Sequence, residues 1–361
     1  QLEALIASVQ ALDQLKNIDG DKSNYVNQLK RVIYGVKEQN RLEGHTADVI
    51  GLSFNYDGKI IASASFDGTV KLWLTKERRV ITIPIKGGEV HTVNFNPISS
   101  TLASGSSDGY VKLWTSNGNF IKTFKNKHTK LVWDVNFSPN GKLIASASKD
   151  GTINLWTNTG QLIKNIKVSR ESVFTAKFSP DSRIIASASA DGIINLWSTK
   201  DGKLLGSFRA DRESVYDVAF ASNSIIASGG RDNFVKIWTT QGTLLKTLKG
   251  HVGDVYSVNF SRNGTLASGS TDGTTKLWEK NGTVSISFRC PDGNNDLKFS
   301  PNGETVACPS SKKVLLWTTK TALNQSRDLE NLRKYSCNWL KDYLTNKPEI
   351  KVVKMCKYDL Q

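Results

Sequence analysis

Methionine occurs once in these 361 residues, at Met355, proline eight times, and cysteine and histidine four times each. No run approaches 18 apolar residues, so no segment reads as a membrane-spanning helix, and no secretory leader pattern is present. The cysteines (Cys290, Cys308, Cys337, Cys356) fall late in the chain without a CxxC pair, and the histidines (His45, His91, His128, His251) lie elsewhere. That spacing matches no zinc motif. A chain long enough to bury its own core needs no bridges, so reduced thiols and a cytoplasmic location are expected. HExxH and calcium-loop patterns are missing, as is the phosphate loop GxxxxGK followed by Ser or Thr. No catalytic residue, metal or cofactor is therefore expected, and the chain does not read as an enzyme.

What the chain has in quantity is one phrase. Trp73, Trp114, Trp156, Trp197, Trp238, Trp278 and Trp317 follow each other at 39 to 42 residues. Each closes a similar segment, as in ASASFDGTVKLW before Trp73 and ASGSTDGTTKLW before Trp278. A period near 40 residues with four short apolar segments fits one blade of a β-propeller. Within a unit an alternating strand such as VYSVNF (255–260) comes first, followed by a turn such as SRNG. A small-residue strand, LASGS, then leads through an Asp-Gly type turn to the tryptophan strand, and a second turn leads to an outer strand.

The reading is an all-β, seven-bladed propeller closed by an N-terminal strand, with short α-helices flanking it. No outer strand follows Trp317, whereas 36–42 reads as a strand with no blade ahead of it. That spare strand is expected to complete the seventh blade, which removes free sheet edges and ties the first unit to the last. Residues 2–16 and 23–34 keep helical spacing of apolar residues, as does 326–345 with Leu329, Leu332, Trp339 and Tyr343 on one face. Such a C-terminal helix either docks on its own domain or meets a partner. The expected organisation is 1–35 as a lead-in from an upstream domain, 36–317 as the propeller and 318–361 as a helix and tail packed on it.

The net charge of +15 lies mostly on the repeats. Many of the lysines (Lys122, Lys125, Lys164, Lys167, Lys203, Lys246, Lys249) recur just after the tryptophan turn, on the expected outer strand. There they either block edge-to-edge pairing or form a polyanion site.

Residues 36–317 resemble the WD-repeat (WD40) propeller family, whose blades often carry a hydrogen-bonded tetrad of His, Ser, Asp and Trp. The resemblance implies three complete tetrads: His45, Ser63, Asp67 and Trp73; His128, Ser146, Asp150 and Trp156; His251, Ser268, Asp272 and Trp278. Units two, four and five keep Asp108, Asp191 and Asp232 but carry Lys86, Ser169 and Asp211 at the histidine position. Unit seven has Cys290 for His and Cys308 for Ser. These aspartates are read as structural. The ends, YGVKEQNRLEGH (34–45) and CNWLKDYL (337–344), resemble bacterial, especially cyanobacterial, multidomain proteins in which a STAND-class signalling NTPase precedes a WD-repeat propeller. Nucleotide chemistry would then belong to that upstream module.

In the WD-repeat fold the start of each innermost strand lies near the channel mouth. The residue after the inner-strand valine is Ile50, His91, Trp133, Phe174, Tyr216 and Tyr256, and Asn295, after Asn294, takes that place in unit seven. These side chains either rim the mouth as a partner-binding face, edged by Phe66, Lys149 and Arg231, or pack between blades. The next position (Gly51, Thr92, Asp134, Thr175, Asp217, Ser257, Asp296) is expected to line a hydrated lumen. The function expected is a non-catalytic, scaffold-like module for a protein or peptide partner, such as an upstream domain of the same polypeptide. It would act as the sensor or autoinhibitory part of a signalling ATPase. The alternative is a basic surface that binds nucleic acid or another polyanion; no membrane partner is expected.

Overall fold

The computed structural model describes residues 38–126, 128–291 and 296–319. The helices read at 2–16, 23–34 and 326–345, and the cysteines Cys337 and Cys356, lie outside them. Two compact units are distinguished, residues 41–315 and the two ends together, and the candidate site lies in the first.

The described residues form seven four-stranded sheets, the blades of a propeller. Blade three shows the layout. Inner strand Val132–Phe137, second strand Leu143–Ser148, third strand Thr152–Thr157 and outer strand Leu162–Lys167 pair antiparallel in sequence order. Blade seven is the exception. Its order is Glu38–Glu43, Lys313–Thr318, Thr305–Ser310, Lys298–Phe299, so the first strand of the chain occupies the outer place beside the Trp317 strand. The spare strand thus fills the vacancy that the repeat count left.

The alternation of each strand builds two apolar faces, and the core lies between neighbouring blades. Ala62, Ala64, Val70, Leu72 and Ile83 of blade one bury against Val90, Val93, Phe95, Leu102 and Trp114 of blade two. The same layers recur between blades two and three, three and four, four and five, and five and six. Each of these tryptophans anchors its blade to the one before. The inner strands converge, so the small residues of the second strands are a packing need. A Cβ on Gly105 would lie 2.6 Å from Val132 Cγ1, and one on Gly51 would lie 2.9 Å from the His91 carbonyl oxygen.

The Asp-Gly turns need a left-handed residue. Gly151 supplies it at φ 82°, and Asn233 takes the equivalent place in blade five at φ 68°.

Candidate functional site

Simple alternation does not aim the ring of residues after the valines. In blade three Val132 pairs with Ser148 and Asp134 with Ala147, so Trp133 is an extra residue in the inner strand. The same β-bulge falls at Ile50, His91, Phe174, Tyr216 and Tyr256. A bulge re-aims one side chain and leaves the rest of the strand in register. The valine before it and the residue two after it (Val132 and Val135, for example) therefore both stay in the core. One more contact fixes the edge of this face. The backbone N–H of Phe66, Lys149 and Arg231 donates to the carbonyls of Asp48, Leu131 and Ser214, just before the valines.

The bulged side chains and Phe66 form one continuous aromatic arc. Centroid separations are 5.4 Å from Phe66 to His91, 5.2 Å to Trp133, 5.9 Å to Phe174, 5.3 Å to Tyr216 and 4.3 Å to Tyr256. Trp133, Phe174, Tyr216 and Tyr256 are partly exposed, and Phe66 is exposed. The rings therefore pack on each other between blades and still show a surface. Two members depart from the expected face. Ile50 is only 8% exposed and His91 only 6%. The shorter aliphatic side chain does not reach solvent, and the imidazole is flanked by Phe66 and Trp133. Asn295 lies outside the described residues.

The polar groups around the arc differ from end to end. Tyr216 donates its hydroxyl to Asp254 at 3.1 Å, and burial, with the Tyr256 and Asp254 side chains beside it, pushes its ionisation well above the usual phenol range. Arg231 is paired with Glu213 at 2.7 Å. Lys149 is exposed and carries no ion pair among the described residues. Burial lowers the His91 pKa and keeps the ring neutral, against a weaker pull from Glu89.

The three expected tetrads are built. His45 lies 2.8 Å from Asp67 and 2.7 Å from Ser63, whose Oγ accepts from Trp73 Nε1 at 2.8 Å. His128 with Asp150, Ser146 and Trp156, and His251 with Asp272, Ser268 and Trp278, repeat it. Burial works against the Asp67 charge, yet hydrogen bonds from Thr69, the Thr46 N–H and His45 hold its carboxyl down at about 2. Such fully partnered groups brace the blade and have no free acid or base for catalysis.

The incomplete blades use a lysine that the motif did not point to. In blade two Lys112 Nζ reaches Asp108 at 3.1 Å and the Lys86 carbonyl at 3.0 Å. Lys236 does the same in blade five, with Asp232 and the Ala210 carbonyl. Where histidine is present, the equivalent lysines turn to the outer strand, Lys71 to Thr82 and Lys276 to Ser287. In blade four Ser169 donates to Asp191 at 2.6 Å. In blade seven Cys290 and Cys308 are joined by a disulfide with Cα atoms 6.6 Å apart, which corrects the expectation of reduced thiols. Their alignment to the His and Ser positions explains the bond, since those two side chains touch in the complete tetrads.

The lumen is braced by side chains. Asp296 accepts from the Leu52 N–H at 2.8 Å, joining blade seven to blade one. Thr92 takes the Val135 N–H, Asp217 the Val258 N–H and Ser257 the Leu297 N–H, each on the next blade. Inner strands of neighbouring blades belong to different sheets, and these bonds link them where no ladder does. Lys177 pairs with Asp134 at 2.8 Å and Lys298 with Asp296. Among the described residues no lysine is in hydrogen-bond contact with Asp217, and desolvation pushes it to about 6 against the pull of Lys177 and Lys298. Both lysines stand two residues beyond the expected lumen position, and the same alternation would have found them. Among the described residues no group of three or more His, Cys, Asp or Glu is placed to hold a metal ion.

The outer-strand lysines are also engaged. Lys122 donates to the Thr159 carbonyl at 2.8 Å and Lys246 to the Asn281 carbonyl at 2.6 Å, each on the turn of the following blade.

A family model described as "WD domain, G-beta repeat" matches residues 36–73, 78–115, 118–157, 160–198, 202–239 and 242–279. Among solved structures, the "Crystal structure of WD40 beta propeller domain of Doa1" is similar with a TM-score of 0.73 and 24% sequence identity. The match covers 79% of this chain and 98% of that one, and it is a likeness of fold. A sequence search of curated proteins returns no match.

Proposed function

We propose that this chain, which belongs to the WD40 repeat family, is a non-catalytic binding module that takes a protein or peptide partner on its aromatic arc. WD40 propellers are typically protein-interaction modules, and the coarse reading follows from that. The observation that carries the finer one is the run of rings on successive bulges, from Phe66 to Tyr256, with four bulged rings partly exposed. Large, rigid aromatic side chains at the centre of a surface supply most of the energy in protein interfaces.

The second half of the proposal is that the module serves as the sensor or autoinhibitory part of a larger signalling ATPase. Its support is the resemblance of 34–45 and 337–344 to STAND-class proteins. The polyanion reading is the weaker alternative, because Lys122 and Lys246 are bound to carbonyls of the next blade.

Photo-crosslinking tests the face. A benzophenone side chain placed at position 174 should crosslink to a partner in cells, and one placed at position 163, on an outer strand, should not. Crosslinks from 163 alone would overturn the reading.

A further inference from the structure

Three of the buried side-chain polar atoms that have no protein partner sit at one junction of the arc: His91 Nδ1, His91 Nε2 and Trp133 Nε1. The two rings meet edge to face at 5.2 Å. The nearest carboxylate, Glu89, stands 3.6 Å from His91 Nε2, beyond hydrogen-bond reach, and its side chain is half exposed. A buried N–H without an acceptor is destabilising, because its water is lost and nothing replaces it. A neutral imidazole carries one such N–H and the indole another.

Two cations stand beside the start of the Trp133 strand. Lys149 is tied through its backbone N–H to Leu131, two residues before Trp133, and Lys130 precedes Leu131. Both are exposed, and neither carries an ion pair among the described residues. The far end of the arc is different, since Arg231 is neutralised by Glu213 and Asp254 is occupied by Tyr216.

We propose that the His91–Trp133 junction takes a carboxylate of an acidic, otherwise apolar peptide. The carboxylate oxygens accept from Trp133 Nε1 and from the ring N–H of His91, Lys130 and Lys149 neutralise the charge, and the flanking apolar side chains lie on Phe174, Tyr216 and Tyr256. The proposal rests on the aromatic face being the binding face. Hydrogen bonds to an ionised acceptor are about twice as strong as neutral ones, so the acid is preferred over its amide. Glu89, 3.6 Å from His91 Nε2, opposes the ligand.

The test uses fluorescein-labelled, amidated octapeptides that differ at one central position (Glu, Gln, Lys or Leu) between pairs of leucine and phenylalanine. Binding to the folded protein is read by anisotropy. The Glu peptide should bind about tenfold more tightly than the Gln peptide. Trp133→Phe keeps a ring but removes the N–H, and should bring that ratio below about threefold, as should the Lys130→Gln/Lys149→Gln double variant. Glu89→Gln should widen it, with an unchanged melting temperature. Equal affinity for Glu and Gln peptides, preference for Lys, or no binding of the Glu peptide at millimolar concentration overturns the proposal. If Phe174→Ala still weakens all four peptides in that case, the aromatic face stands without the carboxylate. If Phe174→Ala and Tyr256→Ala change nothing, the face itself fails.

Discussion

Lys112 lies 3.1 Å from Asp108, in the place where His45 meets Asp67 one blade earlier. The turn aspartate thus keeps a cationic or hydrogen-donating partner, but from a different strand. Lys112 is nearly buried, whereas Lys71 at the same register faces the outer strand. Lys112→Ala should therefore cost about 2–3 kcal/mol by leaving Asp108 and the Lys86 carbonyl without a donor. Lys71→Ala should cost less than about 1 kcal/mol. Urea denaturation of the two variants side by side checks the contrast.

The lumen predicts a pH effect of a particular sign. The folded pKa of Asp217, about 6, lies above its ordinary value of 3.8. A carboxyl raised in this way ionises more readily in the unfolded chain, so it costs stability above pH 6, and the cost fades as pH falls toward 4. Asp217→Asn should stabilise the protein at pH 7.5 by about 1–2 kcal/mol: the shift implies roughly 3, less one hydrogen bond. Near pH 4 it should do little. His45 and His251, both depressed by burial, act in the opposite sense and lose stability as pH falls below 6.5. The difference between wild type and Asp217→Asn, melted at each pH, isolates the lumen group.

The bridge in blade seven closes a separation of 18 residues. Loop-closure entropy for that length gives about 3 kcal/mol. Reduction should lower the unfolding free energy by that much and so lower the denaturation midpoint, and the Cys290→Ser/Cys308→Ser variant should be insensitive to reductant. An unchanged midpoint on reduction of wild type would show that packing alone closes the blade.

The outer-strand lysines should matter little for stability singly. Lys246 is half-buried, and its bond to the Asn281 carbonyl lies at the surface. Lys246→Ala should cost less than about 1 kcal/mol in the same denaturation assay.

Period and alternation made the blade count, the strand roles and the closing strand legible, because each of seven tryptophans repeats the same evidence. The tetrads were legible for the same reason. The lysines that replace histidine were not: Lys71 and Lys112 share a register, and only the missing histidine decides which way the side chain turns. The bulges were hidden too, since a bulge leaves the residue pattern unchanged and shifts only the pairing. His91 and Ile50 were expected at the surface because the pattern places them with the exposed rings. Their burial depends on the neighbouring rings and backbone, which come from other blades.

The central claim is that the arc, and not the basic rim, binds the partner. The most direct measurement is the dissociation constant of a partner captured through position 174, for wild type, Trp133→Ala and Lys246→Ala, at low and high salt. Trp133→Ala should weaken binding by about 2 kcal/mol, roughly thirtyfold, with the fold intact, and Lys246→Ala should leave it nearly unchanged. Affinity that follows Lys246 and collapses with salt, while Trp133→Ala binds like wild type, would contradict the account.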